Sequence, residues 1–369
     1  MLMHDKSSSE FMTPIFSAGN LGPAAETVRA GGLVIFPTET VYGLGASALL
    51  DNAVAGIFVA KGRPQDNPLI LHLYSTARLG EAVSSVPRSA EVLFEAFSPG
   101  PLTIVLPKAS QVSSFVTAGL PTVGIRIPSH PIAREFLELC DLPVAAPSAN
   151  ISGRPSPTSL EMALSGLDGK VDCAVDGGFC RHGIESTIVR CTDDEVVLLR
   201  PGAITVEMIA GCLAEALPDI RVRAVGTEPS AAAVAGSHAV TAVAAGSERA
   251  GGPEARAGGP EAPGMSYRHY QPRAEVLVTE RIDGARARTR FHGRRFGVIA
   301  MNRPPVGIGQ ATPVYVMNSA EEYAHLLYRK LIWFDDQGCD VIIAELPPPN
   351  GVGSAVCDRL IRAAGGQRL

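Results

Sequence analysis

Apolar and polar residues follow two alternating patterns along this chain, and the patterns predict strands and helices in turn. Short apolar runs bounded by Gly or Pro, such as Leu33–Phe36, indicate buried strands. Longer segments with apolar residues three and four apart indicate helices. One of these begins at Asp51, a predicted N-cap, and places Val54, Ile57 and Phe58 on one face. This alternation favours an α/β fold.

The same patterns predict the other elements of the first 218 residues. Further strands are predicted at 69–74, 102–106, 123–127, 143–146, 171–175, 186–191 and 196–199, and helices at 23–29, 132–140, 159–166 and 205–217. Near the C-terminus, strands are predicted at 275–278, 296–301, 313–317 and 341–344, and helices near 281–291, 319–335 and 354–364. We therefore expect one large twisted sheet with helices, followed by a smaller, Rossmann-like parallel α/β domain.

A change of composition separates the two predicted domains. Of the 39 residues in 224–262, 13 are Ala and 7 are Gly, and the sequence Gly-Gly-Pro-Glu-Ala occurs twice. Such a segment buries little apolar surface, which favours a mobile linker, with a marginal Ala-rich helix at 231–245 as the alternative. The predicted organisation is a flexible lead-in (1–19), a first domain (20–218), a linker (219–274) and a C-terminal domain (275–369).

Charge and cysteine content narrow the classes of function. The net charge is −5, and residues 1–217 carry 14 Lys and Arg against 22 Asp and Glu, which argues against nucleic-acid binding by overall charge. The seven cysteines include no CxxC pair and are expected to be reduced thiols of a cytoplasmic protein. No apolar run reaches the ~20 residues that span a bilayer, so no membrane partner is expected.

The most informative polar stretch is the loop at 61–68. Lys61 and Arg63 lie two residues apart at the end of a predicted helix, fixed by Gly62 and Pro64. A shaped cationic loop of this kind suits phosphate or carboxylate. A planar guanidinium on a predicted strand, Arg126, could likewise hold a carboxylate in a bidentate manner or simply point to solvent.

Other polar segments follow predicted strands, where ligands of open α/β sheets usually bind. The segment 36–45 offers hydroxyls, a carboxylate and a phenol beside two glycines, or forms a tight structural turn. Ser148 and Asn150 could bind phosphate oxygens or orient a nucleophile, although capping the next turn is their commoner role. Arg200, held by Pro-Gly, is either a phosphate ligand or a surface cation. The six arginines of 281–295 favour a solvated face over RNA contact, and no metal ligand is assigned.

Taken in order, seven segments resemble L-threonylcarbamoyladenylate synthase of the two-domain, YrdC-like type. The resemblance covers roughly 20–218 and 262 to the end. The seven segments are 37–45 (PTETVYGLG), 61–69 (KGRPQDNPL), 99–103 (PGPLT), 146–150 (APSAN), 183–187 (GIEST), 199–202 (LRPG) and 263–270 (PGMSYRHY).

The resemblance implies that L-threonine, bicarbonate and ATP give threonylcarbamoyl-AMP and pyrophosphate, a nucleotidyltransferase reaction. ATP would enter with Mg²⁺, without dedicated protein ligands. A separate transferase complex would then modify an adenosine beside the anticodon of certain tRNAs, with weak tRNA contact as a further possibility. The implied first domain is a YrdC-like mixed sheet with a concave cationic cavity.

The resemblance also implies three sets of site residues. The catalytic set is Lys61, Arg63, Ser148 and Asn150. The threonine set is Thr40, His72, Arg126, Ala146 (through its backbone) and Ser186. The ATP set is Arg63, Asn67, Thr122, Ser148, Ser156, Arg200, Tyr267 and Tyr270. Tyr267, His269 and Tyr270 belong to a linker motif (263–272) expected to fold back over the site as a lid.

Two other functions remain as alternatives. A carbamoyl-adenylating maturation factor uses a similar domain, but such proteins carry zinc-finger segments, and CxxC pairs are missing here. An RNA-binding module would also use a cationic cavity, although the acidic balance of residues 1–217 weakens that interpretation. The linker motif departs from the family pattern at Ser266, where Lys is common, and at Gln271, where Ala is common.

Overall fold

The computed structural model describes residues 11–225 and 269–369 of the chain, in which two separate β-sheets form. The predicted Ala/Gly-rich linker lies outside the described residues from 226 onwards. So do Tyr267, the first part of the lid motif and residues 1–10 of the predicted lead-in.

The first sheet is mixed, and its strands are short. Its strands are β1 (Ile15–Phe16), β2 (Val34–Phe36), β3 (Gly43–Ser47), β4 (Ile70–His72), β5 (Leu102–Pro107), β6 (Thr122–Arg126), β7 (Val144–Ala145), β8 (Cys173–Val175), β9 (Thr187–Cys191), β10 (Glu195–Arg200) and β11 (Arg221–Ala224). They are arranged in the order β1-β8-β2-β3-β7-β4-β6-β5-β9-β10-β11. Parallel and antiparallel pairs both occur, which confirms the predicted mixed α/β sheet.

Helices pack on this sheet. They are α1 (Gly22–Arg29), α2 (Asp51–Lys61), α3 (Arg88–Phe97), α4 (Ser114–Thr117), α5 (Pro131–Cys140), α6 (Leu160–Leu167) and α7 (Val206–Ala216), with a 3₁₀ helix at Thr76–Glu81. The main apolar core joins α2, α3, α6 and α7 to one face of the sheet, and a second cluster joins α1 and α5 to the other face.

The second sheet is smaller and wholly parallel, as predicted. Its strands are β12 (Glu275–Thr279), β13 (Phe296–Met301), β14 (Val314–Met317) and β15 (Val341–Glu345), in the order β12-β15-β13-β14. Its helices are α8 (Gly284–Arg290), α9 (Ala320–Asp336) and α10 (Val352–Ala363). No helix in either described range is long and apolar enough to span a membrane.

Three details differ from the sequence-based expectations. Asp51 is not the N-cap of α2, because Leu50 occupies that position and Asp51 lies in the first turn. Residues 221–224, assigned to the linker, form an edge strand paired in parallel with β10. The strands β1 and β3 and the helices α3 and α4 were not predicted, and β1 lies within the predicted flexible lead-in (1–19), where it pairs with β8.

The two parts of the chain share one hydrophobic cluster. Val41 and Ile184, from the loops of the first sheet, are buried together with Tyr270, Ala324 and Tyr328 from the C-terminal part. Because apolar side chains of both parts close the same core, the described C-terminal residues pack firmly against the loops at one edge of the first sheet.

Candidate active site

A cleft lies at the ends of several strands of the first sheet, between their loops and the segment that enters the second sheet. The space between its walls, part of it open to solvent, is about 740 Å³. Eleven of the predicted site residues line it: Lys61, Arg63, His72, Arg126, Ala146, Ser148, Asn150, Ser156, Ser186, Arg200 and Tyr270.

Strand register sets a row of polar side chains across the floor of this cleft. His72 at the end of β4 is opposite Arg126 at the end of β6, and Arg126 is opposite Thr103 on β5. Residues directly opposite each other share one face of a sheet. The Thr103 Oγ1 atom then lies 2.8 Å from the Ser186 Oγ atom, just before β9. Three members of the predicted threonine set therefore occupy one row.

Arg126 is buried, with 4% of its surface exposed, and its charge is balanced by Glu39. Arg126 Nη2 donates to Glu39 Oε1 at 2.8 Å, while the Ser129 amide donates to Glu39 Oε2 at 3.1 Å. Burial alone would raise the pKa of Glu39, but the neighbouring guanidinium lowers it below its usual value. Arg126 Nε is buried without a hydrogen-bond partner among the described residues, so this side of the guanidinium is available to an acceptor.

His72 is held as a neutral imidazole. Its ring is 4% exposed and packs edge-on against Phe36, with ring centroids 5.9 Å apart. Burial, with the positive charge of Arg126, lowers the pKa of His72 to about 3. Its Nδ1 atom has no partner among the described residues. A neutral ring beside Arg126 can accept or donate one hydrogen bond to a bound ligand.

The predicted cationic loop follows α2. Gly62 is the C-cap of this helix and has a left-handed conformation, with φ at +59°. This left-handed turn directs Lys61 and Arg63 toward the same cleft. The Arg63 guanidinium donates to the carbonyl oxygens of Asn67 (3.2 Å) and Pro68 (3.0 Å). Backbone carbonyl oxygens of the same loop thus fix the position of the Arg63 side chain.

Lys61 has a structural role besides the one predicted for it. Its ammonium group donates to the carbonyl oxygens of Ser148 and Asn150, so it joins α2 to the loop after β7. Burial, reinforced by the charge of Arg63, lowers the pKa of Lys61 well below its usual range. A bound anion in the cleft would favour the charged form of Lys61, because opposite charge stabilises it.

The loop after β7 is fixed by its own side chains. The Ser148 hydroxyl donates to Asn150 Oδ1, and Asn150 Nδ2 donates to the carbonyl oxygens of Ile151 (2.8 Å) and Arg154 (2.9 Å). Asn150 therefore has a structural task as well as a position on the cleft wall. Both interpretations of this pair, loop capping and ligand binding, are compatible with the geometry.

The opposite wall contains two residues of the predicted ATP set, Ser156 and Arg200, and a carboxylate that was not predicted, Glu185. The Ser156 hydroxyl donates to Glu185 Oε1 at 2.6 Å. Arg200, 5% exposed, donates through Nη2 to the Ser186 carbonyl oxygen (3.0 Å) and to Ser186 Oγ (3.2 Å). Arg200 is thus a buried guanidinium in the cleft wall and not the surface cation that the sequence left open.

The segment entering the second sheet closes one end of the cleft. His269 and Tyr270 both line it, and Gln271 donates from its amide to the Gly153 carbonyl oxygen at 2.8 Å. Tyr270 has φ at +67°, a left-handed conformation, and its ring stacks on Tyr328 of α9 with centroids 5.4 Å apart. Burial lowers the pKa of His269 to about 4.

Three predicted residues do not line the cleft, and a fourth, Tyr267, lies outside the described residues. Thr40 is fully buried, with its hydroxyl 2.8 Å from that of Thr38, which does line the cleft. Asn67 is 2% exposed, and its Oδ1 atom has no partner among the described residues. Thr122 begins β6, about 13 Å from Arg126 at ~3.3 Å per residue.

Sequence reasoning missed the two carboxylates that hold the site together. Glu39 and Glu185 stand inside segments that the sequence analysis singled out, but no role was given to either. Glu39 pairs with Arg126, which is 87 residues away in the sequence. Glu185 pairs with Arg359, which is 174 residues away. A buried Glu needs a cation, so the signal was an acidic residue in an otherwise apolar, glycine-rich setting.

Metal ligands do not cluster in the part of the chain that the structure describes: no group of three or more His, Cys, Asp or Glu side chains could hold an ion there. All seven cysteines lie in that part, and all are free thiols. Cys140, Cys180 and Cys191 are buried, and burial raises the pKa of each to about 12. These three are therefore unsuited to act as nucleophiles.

Comparison with known proteins agrees with this architecture. A family model described as telomere recombination (Sua5, YciO and YrdC) matches residues 26–202, and the model of the threonylcarbamoyl-AMP synthase C-terminal domain matches residues 204–365. The threonylcarbamoyl-AMP synthase of Pyrococcus abyssi is 43% identical over 93% of both chains. That of Bacillus subtilis is 40% identical over 94% of this chain and 93% of its own.

A solved structure shows the same fold. The crystal structure of Pyrococcus abyssi Sua5 in complex with L-threonine superposes with a TM-score of 0.79 at 39% identity, covering 97% of this chain and 99% of that one. The two family models, the two relatives and the solved structure all indicate the same family. The chain belongs to the two-domain threonylcarbamoyl-AMP synthase family.

Proposed function

We propose that this protein is an L-threonylcarbamoyladenylate synthase, a nucleotidyltransferase that uses the cleft described above. The observation that supports this most directly is the convergence of guanidinium groups from separate segments on one cavity. Arg63, Arg126 and Arg200 all line it, beside the Ser148–Asn150 loop. A site with this many fixed cations suits a triphosphate and an amino-acid carboxylate together.

The reaction joins three substrates. The threonine amino nitrogen forms a bond to the bicarbonate carbon, with loss of water, to give a carbamate. A carbamate oxygen then attacks the α-phosphorus of ATP, and the bond to the pyrophosphate oxygen breaks. The products are threonylcarbamoyl-AMP and pyrophosphate.

The residues supply position and charge in this scheme. Arg126, with its free Nε edge, binds the threonine carboxylate, and neutral His72 and the Ser186 hydroxyl contact the rest of that substrate. Arg63, Arg200 and Lys61 stabilise the charge that develops on the phosphates. Mg²⁺ arrives with ATP as part of the substrate, held by phosphate oxygens.

The lid assignment rests on the described end of the linker motif. His269 and Tyr270 already form one wall of the cleft, which supports a role for this segment in excluding water from the carbamate and the adenylate. Tyr267 lies outside the described residues and stays a predicted ATP-binding residue. We further propose that the labile product passes to a separate tRNA-modifying transferase in the cytoplasm, a location consistent with seven free thiols.

The decisive experiment is a pyrophosphate-release assay with omission of single substrates. We expect release that requires threonine and bicarbonate together. Turnover of ATP at the same rate without threonine would contradict the proposed function. Mass spectrometry of the quenched reaction should show threonylcarbamoyl-AMP, which also distinguishes this enzyme from a carbamoyl-adenylating maturation factor.

Direct tRNA contact is a separate question that concerns a different surface. The six arginines of 281–295 are all exposed, as expected for a solvated face, and Arg294 is paired with Glu275 at 3.0 Å. If this face binds tRNA, filter retention should fall steeply with salt, by a slope close to the number of phosphates contacted. Retention that is absent at low salt would leave the arginines as a solvated face only.

A further inference from the structure

Glu185 lies at the junction of the cleft and the C-terminal part of the chain. Its carboxylate accepts hydrogen bonds from three side chains: Ser156 at 2.6 Å, Tyr328 at 2.9 and 3.0 Å, and Arg359 at 2.8 Å. Ser156 belongs to the cleft wall, whereas Tyr328 is on α9 and Arg359 is on α10. Two of its three side-chain donors therefore come from the second domain.

Arg359 is the most deeply buried charged side chain of the described residues, with none of its surface exposed. Besides Glu185, its guanidinium donates through Nη2 to the Pro201 carbonyl oxygen at 3.0 Å, directly after Arg200. The same guanidinium lies over the ring of Tyr270, 5.6 Å from its centroid. Arg359 thus contacts three segments that line or adjoin the cleft, although it does not line the cleft itself.

Tyr328 makes a second link of the same kind. Its hydroxyl is bound to Glu185, and its ring stacks on Tyr270 at an interplanar angle of 29°. Tyr270 is held in a left-handed conformation that is costly for a residue with a bulky side chain. Packing against both Tyr328 and Arg359 stabilises that conformation.

We infer that Tyr328 and Arg359 of the C-terminal domain are positioning residues of the nucleotide site, acting through Glu185, Arg200 and Tyr270. On this inference, which rests on the proposed function, the second domain completes the catalytic cavity of the first. The ATP site is not fully formed by the first sheet and its loops alone.

The charges explain how the effect would be transmitted. Glu185 interacts with two arginines, Arg359 behind it and Arg200 in the cleft wall. With Arg359 present, its guanidinium pairs directly with the carboxylate at 2.8 Å, on the side of the second domain. Without Arg359, the carboxylate keeps its hydrogen bonds from Ser156 and Tyr328, but Arg200 is the remaining one of its two arginine neighbours. An unpaired buried charge is strongly disfavoured, so the carboxylate should attract Arg200 more strongly. The cation is then drawn away from the nucleotide.

The test compares two tyrosines of the same helix. Tyr328→Phe removes the hydroxyl bound to Glu185 but keeps the ring stack with Tyr270. Tyr323→Phe is the matched control, since Tyr323 is equally buried on α9 and its hydroxyl has no partner in the described residues. For Tyr328→Phe we expect a rise of about 10-fold in the KM for ATP, the size of one hydrogen bond to a charged group, with a smaller change in the KM for threonine.

Arg359 tests the charge argument. Arg359→Met should raise the KM for ATP more than Tyr328→Phe does, and the double variant Arg359→Met/Glu185→Gln should recover part of the loss, because no unpaired charge remains. A purely structural role would lower the thermal midpoint without this recovery of the KM. Should Arg359→Met fail to fold, the two tyrosine variants and Arg359→Lys still decide the matter.

The outcomes separate the inference from the proposed function. Equal KM values for ATP in Tyr328→Phe, Tyr323→Phe and the unmodified protein would overturn the inference while leaving threonine-dependent pyrophosphate release intact. Calorimetric titration with a non-hydrolysable ATP analogue measures the same affinities without turnover. If the unmodified protein shows no threonine-dependent release, the proposed function fails, and the titration still tests the positioning role.

Discussion

At the scale of the residue, Arg126 combines a fixed partner with a free edge. Glu39 holds one terminal nitrogen, and the Nε atom remains without a partner among the described residues. This arrangement fixes the plane of the guanidinium before any ligand arrives. A preorganised planar group loses little entropy when it binds a carboxylate, which favours specificity for an amino acid.

Arg126→Lys tests that geometry while keeping the charge. A lysine can still pair with Glu39 but cannot offer two parallel donors, so we expect the KM for threonine to rise by about 10-fold or more, equivalent to ~1.4 kcal/mol. The KM for ATP should change little. Arg78→Lys, in an exposed ion pair with Asp141, is the matched control. Unchanged threonine kinetics in Arg126→Lys would remove Arg126 from the carboxylate site.

His72 gives the site a measurable pH dependence of stability. The folded pKa of about 3 lies below the ordinary value of 6.5, so the unfolded chain binds the extra proton between these values. Stability should therefore fall as pH decreases below about 6.5, by at most ~1.4 kcal/mol per pH unit from this group. Other buried groups contribute their own slopes, so the comparison must be made between variants.

The measurement is the urea midpoint of unfolding at pH 5 and pH 7. In His72→Gln the loss of stability between pH 7 and pH 5 should be smaller than in the unmodified protein, because the group that takes up the proton is gone. His292→Gln, at an exposed position, provides the control. A slope unchanged by His72→Gln would show that this imidazole is not held neutral by burial.

Residue types and spacing predicted most of the cleft but not its ion pairs. Lys61, Arg63, Ser148 and Asn150 stand in short segments whose local pattern is visible along the chain. The pairing of Arg126 with Glu39 depends instead on tertiary structure, since it joins side chains 87 residues apart. The burial of Lys61 and its contacts with the loop after β7 are equally invisible before the fold is known.

At the scale of the element, apolar runs predicted the strands with bulky side chains and missed the strand built on glycine. β3, Gly43–Ser47, lacks large β-branched residues, yet it is wholly buried. The ring of Phe36 on β2 occupies the space beside this strand. If Gly43 or Gly45 carried a Cβ atom, that atom would lie only 3.1 Å or 2.9 Å from the ring. The strand exists because its neighbour supplies the missing side-chain volume, which propensity alone does not reveal.

The end of α2 offers a test of how a helix positions residues that line the cleft. Gly62 has φ at +59° with open space beside it, so Gly62→Ala should cost ~1 kcal/mol through backbone strain alone. Because the turn orients Lys61 and Arg63, the activity should fall as well. Gly211→Ala is the control: this glycine lies inside α7 with open space and no positive φ, and alanine there should stabilise by up to ~1 kcal/mol.

The measurements are the thermal midpoint of unfolding and the rate of pyrophosphate release of Gly62→Ala and Gly211→Ala. Opposite shifts of the midpoint, with a loss of activity confined to Gly62→Ala, are expected. Equal stability and activity in the two variants would mean that the left-handed turn is not needed to present the cationic loop.

At the scale of the whole molecule, Gly183 marks a close approach of the two parts. A Cβ at this position would lie 2.5 Å from the carbonyl oxygens of Ala324 and His325 on α9. Nearby, the His325 ring Nδ1 lies 2.9 Å from the Arg181 carbonyl oxygen. Backbone atoms of a packed helix cannot move aside cheaply, so this contact requires glycine.

Gly183→Ala and Gly178→Ala separate the contact from the backbone conformation. Both glycines have positive φ, +77° and +71°, but only Gly183 faces α9, while Gly178 has open space. Each alanine should cost ~1 kcal/mol of strain, and Gly183→Ala should lose clearly more. Hydrogen exchange of α9 should rise in Gly183→Ala alone. Identical exchange in both variants would argue against close packing of the two parts at this point.

The hydrophobic cluster shared by Val41, Ile184 and the helices of the second sheet has a calorimetric consequence. Chains with two domains often melt in two steps, because each domain closes its own core. Here one of the hydrophobic clusters contains side chains of both described parts, so the two parts bury part of their apolar surface against each other. A scan of heat capacity should accordingly show a single endotherm whose van't Hoff and calorimetric enthalpies agree.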